Sequence, residues 1–201
     1  DTRYQQRRQC FPKTAATIEE LHAAAGQAVV VFFPSYAYAE AIEQQIQHDG
    51  YPLRVMLQPR LPNLSAQSAW VEQSLAFADV LLLVLGSSFA EGIDLLGGKI
   101  SHAMVVGPAL PEVNARQRAL LTELERAGVS REDAFDRVYR IPGLQKVNQG
   151  LGRLVRAPGH RTKVLLHCKR FVEPAYARLL ARDYQFGTHI FDDDSLAEWL
   201  D

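Results

Sequence analysis

Two arginines in the last third of the chain are the residues whose type and spacing first indicate chemistry. The stretch from Gln149 to Arg156 reads QGLGRLVR, so Arg153 and Arg156 share one face if the segment is helical. Gly152 leaves room for a close approach in front of Arg153. Guanidinium groups match phosphate oxygens, and a pair facing a cleft can stabilise the charge on a transferred phosphoryl group. Spacing alone leaves a solvated basic helix face as the alternative.

The elements that must position these arginines are predicted to be those of an α/β fold. Continuous apolar runs at 29–33 and 80–85 are typical of buried parallel strands. Shorter strands are predicted at 53–57, 102–106 and 163–167. Helices are predicted at 14–25 with Thr14 as cap, from Ser35 to the break at Gly50, and at 65–77, 111–140 with a break near Gly128, 141–155 and 174–181. This alternation predicts a mainly parallel central sheet with helices on both faces.

Ligands of such sheets bind at the carboxyl ends of the strands. Three predicted strand ends carry turn residues there: Pro34-Ser35, Gly86-Ser87-Ser88 and Gly107-Pro108. Hydroxyls and backbone amides at these ends suit a nucleic-acid backbone because they bind phosphate without reading sequence. For Ser35, a plain helix cap is an equally good interpretation.

Composition sets the limits of the interpretation. The 201 residues fit one domain, and 22 Lys and Arg against 23 Asp and Glu give no charge signature of a nucleic-acid partner. Cys10 and Cys168 are far apart in sequence and form no C-x-x-C motif, so we expect neither a disulfide framework nor a metal site. Two cysteines of this kind are typical of a reducing compartment, and we expect a cytoplasmic protein. The longest apolar runs are too short for a membrane span. The chain does not begin with Met, and we expect it to be a fragment of a longer protein.

No phosphate-binding loop is visible. Gly97-Gly98-Lys99 lacks the first glycine of a GxxxxGK[ST] loop, and Ile100 follows where Ser or Thr is needed. The Gly150-Leu151-Gly152 stretch lies inside a predicted helix and is not a dinucleotide fingerprint. The chain thus has candidate phosphate-sensing arginines without a phosphate cradle, which indicates half of a nucleotide site.

Four blocks, in order, resemble the second, C-terminal RecA-like motor domain of XPD/DinG-type superfamily-2 DNA helicases. They are FFPSY at 32–36, GSSFAEGIDL at 86–95, VVGPALP at 105–111, and YRIPGLQKVN at 139–148 running into the arginine stretch. The opening TRYQQR at 2–7 is similar to the family's lead-in. The resemblance covers nearly the whole chain and implies a RecA-like three-layer fold, with residues 1–201 forming a single domain.

The resemblance also implies roles for individual residues. Arg156 would be the arginine finger that reaches the γ-phosphate of ATP, and Arg153 would support the same phosphate or hold Arg156. The implied nucleotide-site residues are Gln149, Gly152, Glu91, Gly92 and Asp94. The implied contacts to single-stranded DNA are Ser35, Tyr36, Ser87, Ser88 and Lys146, although Lys146 also fits a solvated helix lysine.

The implied protein is an ATP-dependent DNA helicase of the repair and recombination type. ATP and Mg²⁺ would be held mainly by an N-terminal motor domain outside this chain, and any iron–sulfur cluster would belong to that domain too. The isolated domain would be inactive. The implied partners are single-stranded DNA and the N-terminal motor domain, with no membrane.

Two departures from the family pattern leave rival interpretations open. Cys168 stands where the family usually has Asp in a D-x-R-F pattern, and residues 157–161 lack the usual acidic side chains. The Cys168 departure favours a catalytically silent nucleic-acid or partner-binding module on the same fold, whereas the intact arginine stretch argues against it. A phosphotransferase on a doubly wound sheet is the other rival, disfavoured because no nucleophile with an adjacent base is visible.

Overall fold

Five strands form one parallel sheet at the centre of the molecule. The structure is a computed structural model that describes residues 2–3, 5–61, 63–87, 96–155 and 159–201. The strands are β1 Val29–Phe33, β2 Val55–Leu57, β3 Val80–Val84, β4 His102–Val105 and β5 Lys163–Leu166. Their order across the sheet is β2-β3-β1-β4-β5, and every neighbouring pair is parallel.

The two strands with continuous apolar sequence lie in the middle of this sheet. Every residue of β1 and β3 is buried, and Val31 of β1 pairs with Leu82 on one side and Met104 on the other. Successive side chains of a strand point to opposite faces, so β1 sends Val30 and Phe32 into one apolar cluster and its other residues into a second. A strand buried on both faces must be apolar throughout, which is why both runs were predictable.

Helices cover both faces of the sheet. They are α1 Phe11–Ala25, α2 Tyr36–His48, α3 Leu64–Phe77, α4 Ala115–Arg126, α5 Arg131–Phe135, α6 Ile141–Leu151, α7 Pro174–Ala177 and α8 Asp193–Leu200. Buried residues of α1, α2 and α8 share one cluster, and those of α3 and α6 share the other. The predicted three-layer α/β fold is confirmed. None of the described helices is long and apolar enough to cross a membrane.

Four helix predictions, at 14–25, 111–140, 141–155 and 174–181, are wrong at their boundaries; the last helix already ends at Ala177. Helix α1 begins three residues before Thr14, with Pro12 in its first turn, and the Thr14 hydroxyl donates to the Cys10 carbonyl instead of capping the helix. The predicted helix at 111–140 begins only at Ala115, because Asn114 accepts a hydrogen bond from the Gln117 amide and so caps it. A π-helical turn, Asp136–Arg140, joins α5 to α6.

Candidate nucleotide and nucleic-acid interface

Ser35 stands at the junction between β1 and α2. It occupies the N-cap position with extended backbone angles, and its carbonyl accepts from the amides of Tyr38 and Ala39. Its hydroxyl makes no capping hydrogen bond, so the side chain is not used to satisfy the helix. The first amides of α2 and the Ser35 hydroxyl therefore meet at the carboxyl edge of the sheet, where a helix N-terminus favours negative charge.

Three side chains from neighbouring strand ends form a polar cluster, which consists of Tyr36, Gln58 and Ser87. Gln58 follows β2 and is almost completely buried. Its amide nitrogen lies 2.6 Å from the Tyr36 hydroxyl and 3.0 Å from the Ser87 hydroxyl, and its amide oxygen accepts from the Val84 backbone at 2.8 Å. The cluster ties the ends of β2 and β3 to the start of α2.

Lys146 of α6 reaches the same edge of the sheet. Its aliphatic chain lies against Gly86, where a Cβ atom would come within 2.7 Å of both Lys146 Cδ and Cε. Gly86 also has a φ of +70°, a conformation that glycine adopts without steric cost. The turn that carries Ser87 is thus held under Lys146, and the two predicted DNA-binding residues are brought together.

Helix α6 ends earlier than predicted, at Leu151. The turn that follows is closed by hydrogen bonds from the Arg153 amide to Gly150 and from the Leu154 amide to Leu151. Two glycines in this stretch have poor helix propensity, and such tighter bonds are common in a last turn. The expectation that Arg153 lies within a helix is therefore wrong: Arg153 is half-buried in the turn.

The outer face of α6 carries Lys146 and the exposed Gln149, and Arg153 follows in the turn. Lys146 and Gln149 are spaced by three, so they lie on one side of the helix. Among the described residues, a Cβ at Gly152 would meet only the carbonyls of Asn148 and Gln149. The close approach at Gly152 stays a prediction.

The inner face of α6 is seated tightly on the sheet. A Cβ at Gly150 would lie 2.8 Å from Leu85, and one at Gly143 would lie 2.7 Å from the Leu110 side chain and 3.1 Å from its backbone. Both glycines are buried beside Leu144, which has no exposed surface. Small residues at these two positions let the helix approach the strand ends closely.

Two sets of polar contacts brace α6 from behind. Asn148 donates to the Leu179 carbonyl and accepts from the Ala181 amide, both at 2.9 Å. Just before α6, the buried carboxylate of Asp136 is paired with both Arg140 and Arg178. The helix that carries Lys146 and the exposed Gln149 is therefore fixed on its other side.

The turn around Gly98 contacts the segment that follows the arginines. Gly98 has a φ of +73°, and a Cβ there would come within 2.4 Å of the His160 ring. Gly98 lies shortly after the predicted residues Glu91 to Asp94, and His160 lies shortly after Arg156. The chain therefore brings the segments that follow these two predicted site regions into contact.

Cys168 is hydrogen-bonded in spite of its departure from the family pattern. The Thr2 hydroxyl donates to its sulfur at 2.9 Å, and Arg170 donates to Thr2 at 3.2 Å. Burial raises the pKa of the Cys168 thiol, but hydrogen bonds from Thr2 and Arg170 and the Arg170 charge outweigh it, so the pKa falls below its ordinary value. The thiol sits where a negatively charged group is favoured.

Five predicted site residues lie outside the described residues: Ser88, Glu91, Gly92, Asp94 and Arg156. Among the others, the structure brings Tyr36, Ser87 and Lys146 to one edge, whereas Gln149 lies further along α6 and Arg153 lies in the turn after it. Sequence reasoning missed Gln58 and Asn148. The sequence signal for both was weak, because Gln58 is one polar residue directly after a short strand and Asn148 is one amide inside an amphipathic helix. Only their hydrogen bonds to residues distant in sequence reveal a role.

Comparisons with known proteins agree with this arrangement. A family model described as the helicase C-terminal domain matches residues 18–185. An ATP-dependent DNA helicase CHL1 of the yeast Yarrowia lipolytica is 27% identical over 184 residues, which span 78% of this chain and 23% of that protein. Two solved structures have the same fold: S. tokodaii Xpd4 (TM-score 0.66, 16% identity, 92% of this chain and 35% of that one) and an XPD helicase (TM-score 0.64, 21% identity, 84% and 30%).

The chain belongs to the helicase C-terminal domain family, as the match over most of its length shows. The predicted resemblance to the C-terminal motor domain of XPD/DinG-type helicases is confirmed by this match, by the CHL1 relative and by the XPD structures. The chain spans about a quarter to a third of the length of these relatives.

Proposed function

We propose that this chain is the C-terminal motor lobe of an ATP-dependent DNA helicase, which hydrolyses ATP between this lobe and an N-terminal motor lobe. The observation that supports the proposal best is the position of α6, whose outer face carries Gln149 and Lys146 and whose Lys146 packs against Gly86 at the carboxyl edge of the sheet. A relative of the chain is named an ATP-dependent DNA helicase.

On the nucleotide side, Arg156 stabilises the negative charge that develops on the transferred phosphoryl group, and Arg153 supports it. A guanidinium suits this task because it stays charged and offers forked donors. Gln149 hydrogen-bonds at the cleft, and Gly152 leaves space for the approaching lobe. The remaining residues of the nucleotide site are Glu91, Gly92 and Asp94, which link the nucleotide cleft to the DNA groove.

On the DNA side, Ser35, Tyr36, Ser87, Ser88 and Lys146 contact the phosphates of single-stranded DNA. The Ser35 hydroxyl, which makes no capping hydrogen bond at the start of α2, and the placement of Lys146 against Gly86, next to Ser87, support this part of the proposal. Such contacts bind backbone and do not read sequence, as a motor that steps along any strand requires.

Mg²⁺ and most contacts to ATP belong to the N-terminal lobe in this proposal, and any iron–sulfur cluster belongs there as well. The described residues contain no group of three His, Cys, Asp or Glu side chains arranged to hold a metal ion. Because the proposal assigns Mg²⁺ and most contacts to ATP to the other lobe, we expect the 201-residue chain alone to show no ATP hydrolysis, with circular dichroism as the check that it is folded. Hydrolysis by the folded chain would favour a different phosphate enzyme.

The decisive experiment measures ATP hydrolysis stimulated by single-stranded DNA in the intact helicase, with and without Arg156→Ala. Loss of an arginine finger lowers turnover by roughly a thousandfold or more, and we expect ATP binding to remain. Arg161→Ala is the matched control because Arg161 is an exposed arginine on the same connection and has no role in the proposal; it should leave turnover unchanged.

An unchanged rate in Arg156→Ala would contradict the arginine-finger role. An intact protein that hydrolyses no ATP with DNA present would support the rival function, a binding module on an inherited helicase fold. The observation that favours this rival is Cys168 in place of the family's Asp.

A further inference from the structure

We propose that Arg60 binds a backbone phosphate of single-stranded DNA together with the Tyr36 hydroxyl, and that Gln58 fixes the direction of that hydroxyl. The inference rests on the proposed function, because it concerns the same edge of the sheet. It adds two residues, Arg60 and Gln58, that the family resemblance did not supply.

The orientation of the Gln58 amide is fixed by a backbone group. The Val84 amide can only donate, so the atom that it contacts at 2.8 Å must be the Gln58 oxygen. The Gln58 nitrogen therefore faces Tyr36 and Ser87, and its two hydrogens point at their hydroxyl oxygens. Gln58 is 2% exposed, so no solvent competes for these bonds.

This orientation gives the two hydroxyls different roles. The Ser87 hydroxyl donates to the Val84 carbonyl at 2.6 Å, and its proton is already used. The Tyr36 hydroxyl must accept from Gln58, and within the described part of the chain its own proton has no acceptor. Tyr36 is thus held with a donor free for a phosphate oxygen, whereas Ser87 would have to exchange its present partner.

Arg60 is the cation placed beside this donor. Its guanidinium carbon lies 4.5 Å from the centre of the Tyr36 ring, a distance at which the ring attracts the charge. Arg60 is exposed, and in the described part of the chain no ion pair links it to a carboxylate. A guanidinium stacked on a ring keeps its forked donors directed outward, which is the arrangement that binds phosphate.

The segment of chain around Arg60 contains no acidic residue. Between Asp49 and Glu72 the chain contains no Asp or Glu, yet it includes Arg54 and Arg60. Arg54 is paired with Asp79 before the start of β3, whereas Arg60 lies after the end of β2. Of these two arginines, Arg60 is therefore the one without an ion pair to any described residue, and it lies at the carboxyl edge of the sheet, where Tyr36 and Ser87 meet.

The test measures binding of fluorescently labelled oligothymidylate to the intact helicase over a range of salt concentrations. Arg60→Gln should weaken binding about tenfold, as expected for one charge-assisted hydrogen bond. It should also lower the slope of log affinity against log salt by about 0.7, the value for one phosphate of a single strand. Arg126→Gln, which removes an exposed arginine on α4, should change neither quantity.

Tyr36→Phe keeps the ring under Arg60 and removes the free donor. We expect several-fold weaker binding with an unchanged salt slope, because no charge is lost. Gln58→Glu replaces the amide donor by an acceptor and turns the Tyr36 proton inward, so it should also weaken binding. Its effect should be smaller in the Tyr36→Phe background, whereas simple charge repulsion would act equally in both.

Equal affinities and salt slopes for Arg60→Gln and Arg126→Gln would overturn the role of Arg60. A raised KM for ATP with unchanged DNA affinity would overturn it too, by placing Arg60 on the nucleotide. Equal effects of Gln58→Glu in both backgrounds would overturn the role of Gln58. If the unmutated helicase binds no single-stranded DNA, the proposed function fails and this inference fails with it.

Discussion

The polar cluster and the outer face of α6 hold their functional side chains in different ways. In the cluster, Tyr36 and Ser87 are bonded directly to a buried neighbour, Gln58. On α6, the support comes from behind, through Asn148 and the Asp136 ion pairs, while Gln149 remains exposed.

The difference fits what each region is proposed to bind. In the proposal the cluster binds a DNA backbone, and donors that are already oriented reduce the cost of binding. In the proposal a second lobe completes the nucleotide cleft, so the side chains on α6 need a rigid helix and must remain accessible to that lobe. The comparison predicts that substitutions behind α6 act on stability, whereas substitutions on its outer face act on turnover.

The largest expected effect is at Asp136. Asp136→Ala removes the buried carboxylate that pairs with Arg140 and Arg178. The side chain of Arg140 is only 15% exposed, so it loses a charged partner that water cannot easily replace. Breaking a buried ion pair by removing one partner costs about 3–5 kcal/mol, so the free energy of unfolding should fall by that order in a urea titration.

Glu132→Ala is the matched control for Asp136. Glu132 contacts the same Arg140 at 3.5 Å, but its side chain is 73% exposed. An exposed pair contributes about 0–1 kcal/mol, so this variant should be close to the unmutated protein. Equal losses in the two variants would show that burial does not set the strength of this brace.

The second prediction separates two adjacent residues of α6. Asn148→Ala leaves the Leu179 carbonyl and the Ala181 amide without their partner and should cost about 1–3 kcal/mol of stability. Gln149→Ala should leave the melting temperature unchanged and lower DNA-stimulated ATP hydrolysis. A Gln149 variant that melts early and keeps its turnover would contradict the division between brace and outer face.

How far the sequence predicts this arrangement depends on the range of the interactions involved. The runs at 29–33 and 80–85 predicted β1 and β3 correctly, because burial on both faces leaves a local apolar signature. The end of α6 at Leu151 was not predicted, since helical spacing continues to Arg156 while the last turn tightens. Gln58 and Asn148 were missed because their partners lie more than twenty residues away in sequence.

Gly86 precedes Ser87 of the polar cluster and packs against Lys146 of α6, and the third prediction concerns this contact. Gly86→Ala places a side chain at a φ of +70° and within 2.7 Å of Lys146. The strained conformation should cost about 1–2 kcal/mol. In the Lys146→Ala background the crowding is gone and only the strain remains, so the stability loss should be smaller there. An equal loss in both backgrounds would mean that the flexible end of Lys146 moves aside at no cost.

The smallest expected effect is at Cys168, where the family's Asp can be restored. Arg170 has a buried Nε atom with no hydrogen-bond partner among the described residues, and it already lowers the pKa of the thiol. Asp at position 168 would offer carboxylate oxygens to Arg170 and Thr2, and we expect about 1 kcal/mol of added stability at pH 7. An Asp held by these donors would have a lowered pKa in the folded state. The gain should therefore be present above the ordinary Asp pKa of about 4 and be lost as the pH falls through the lower folded value.

Cys168→Asn, a neutral side chain of similar shape, is the control and should show no such pH dependence. Melting curves between pH 7 and pH 2 test this, and an Asp variant less stable than the Asn variant at pH 7 would mean that burial of the charge outweighs its pairing with Arg170.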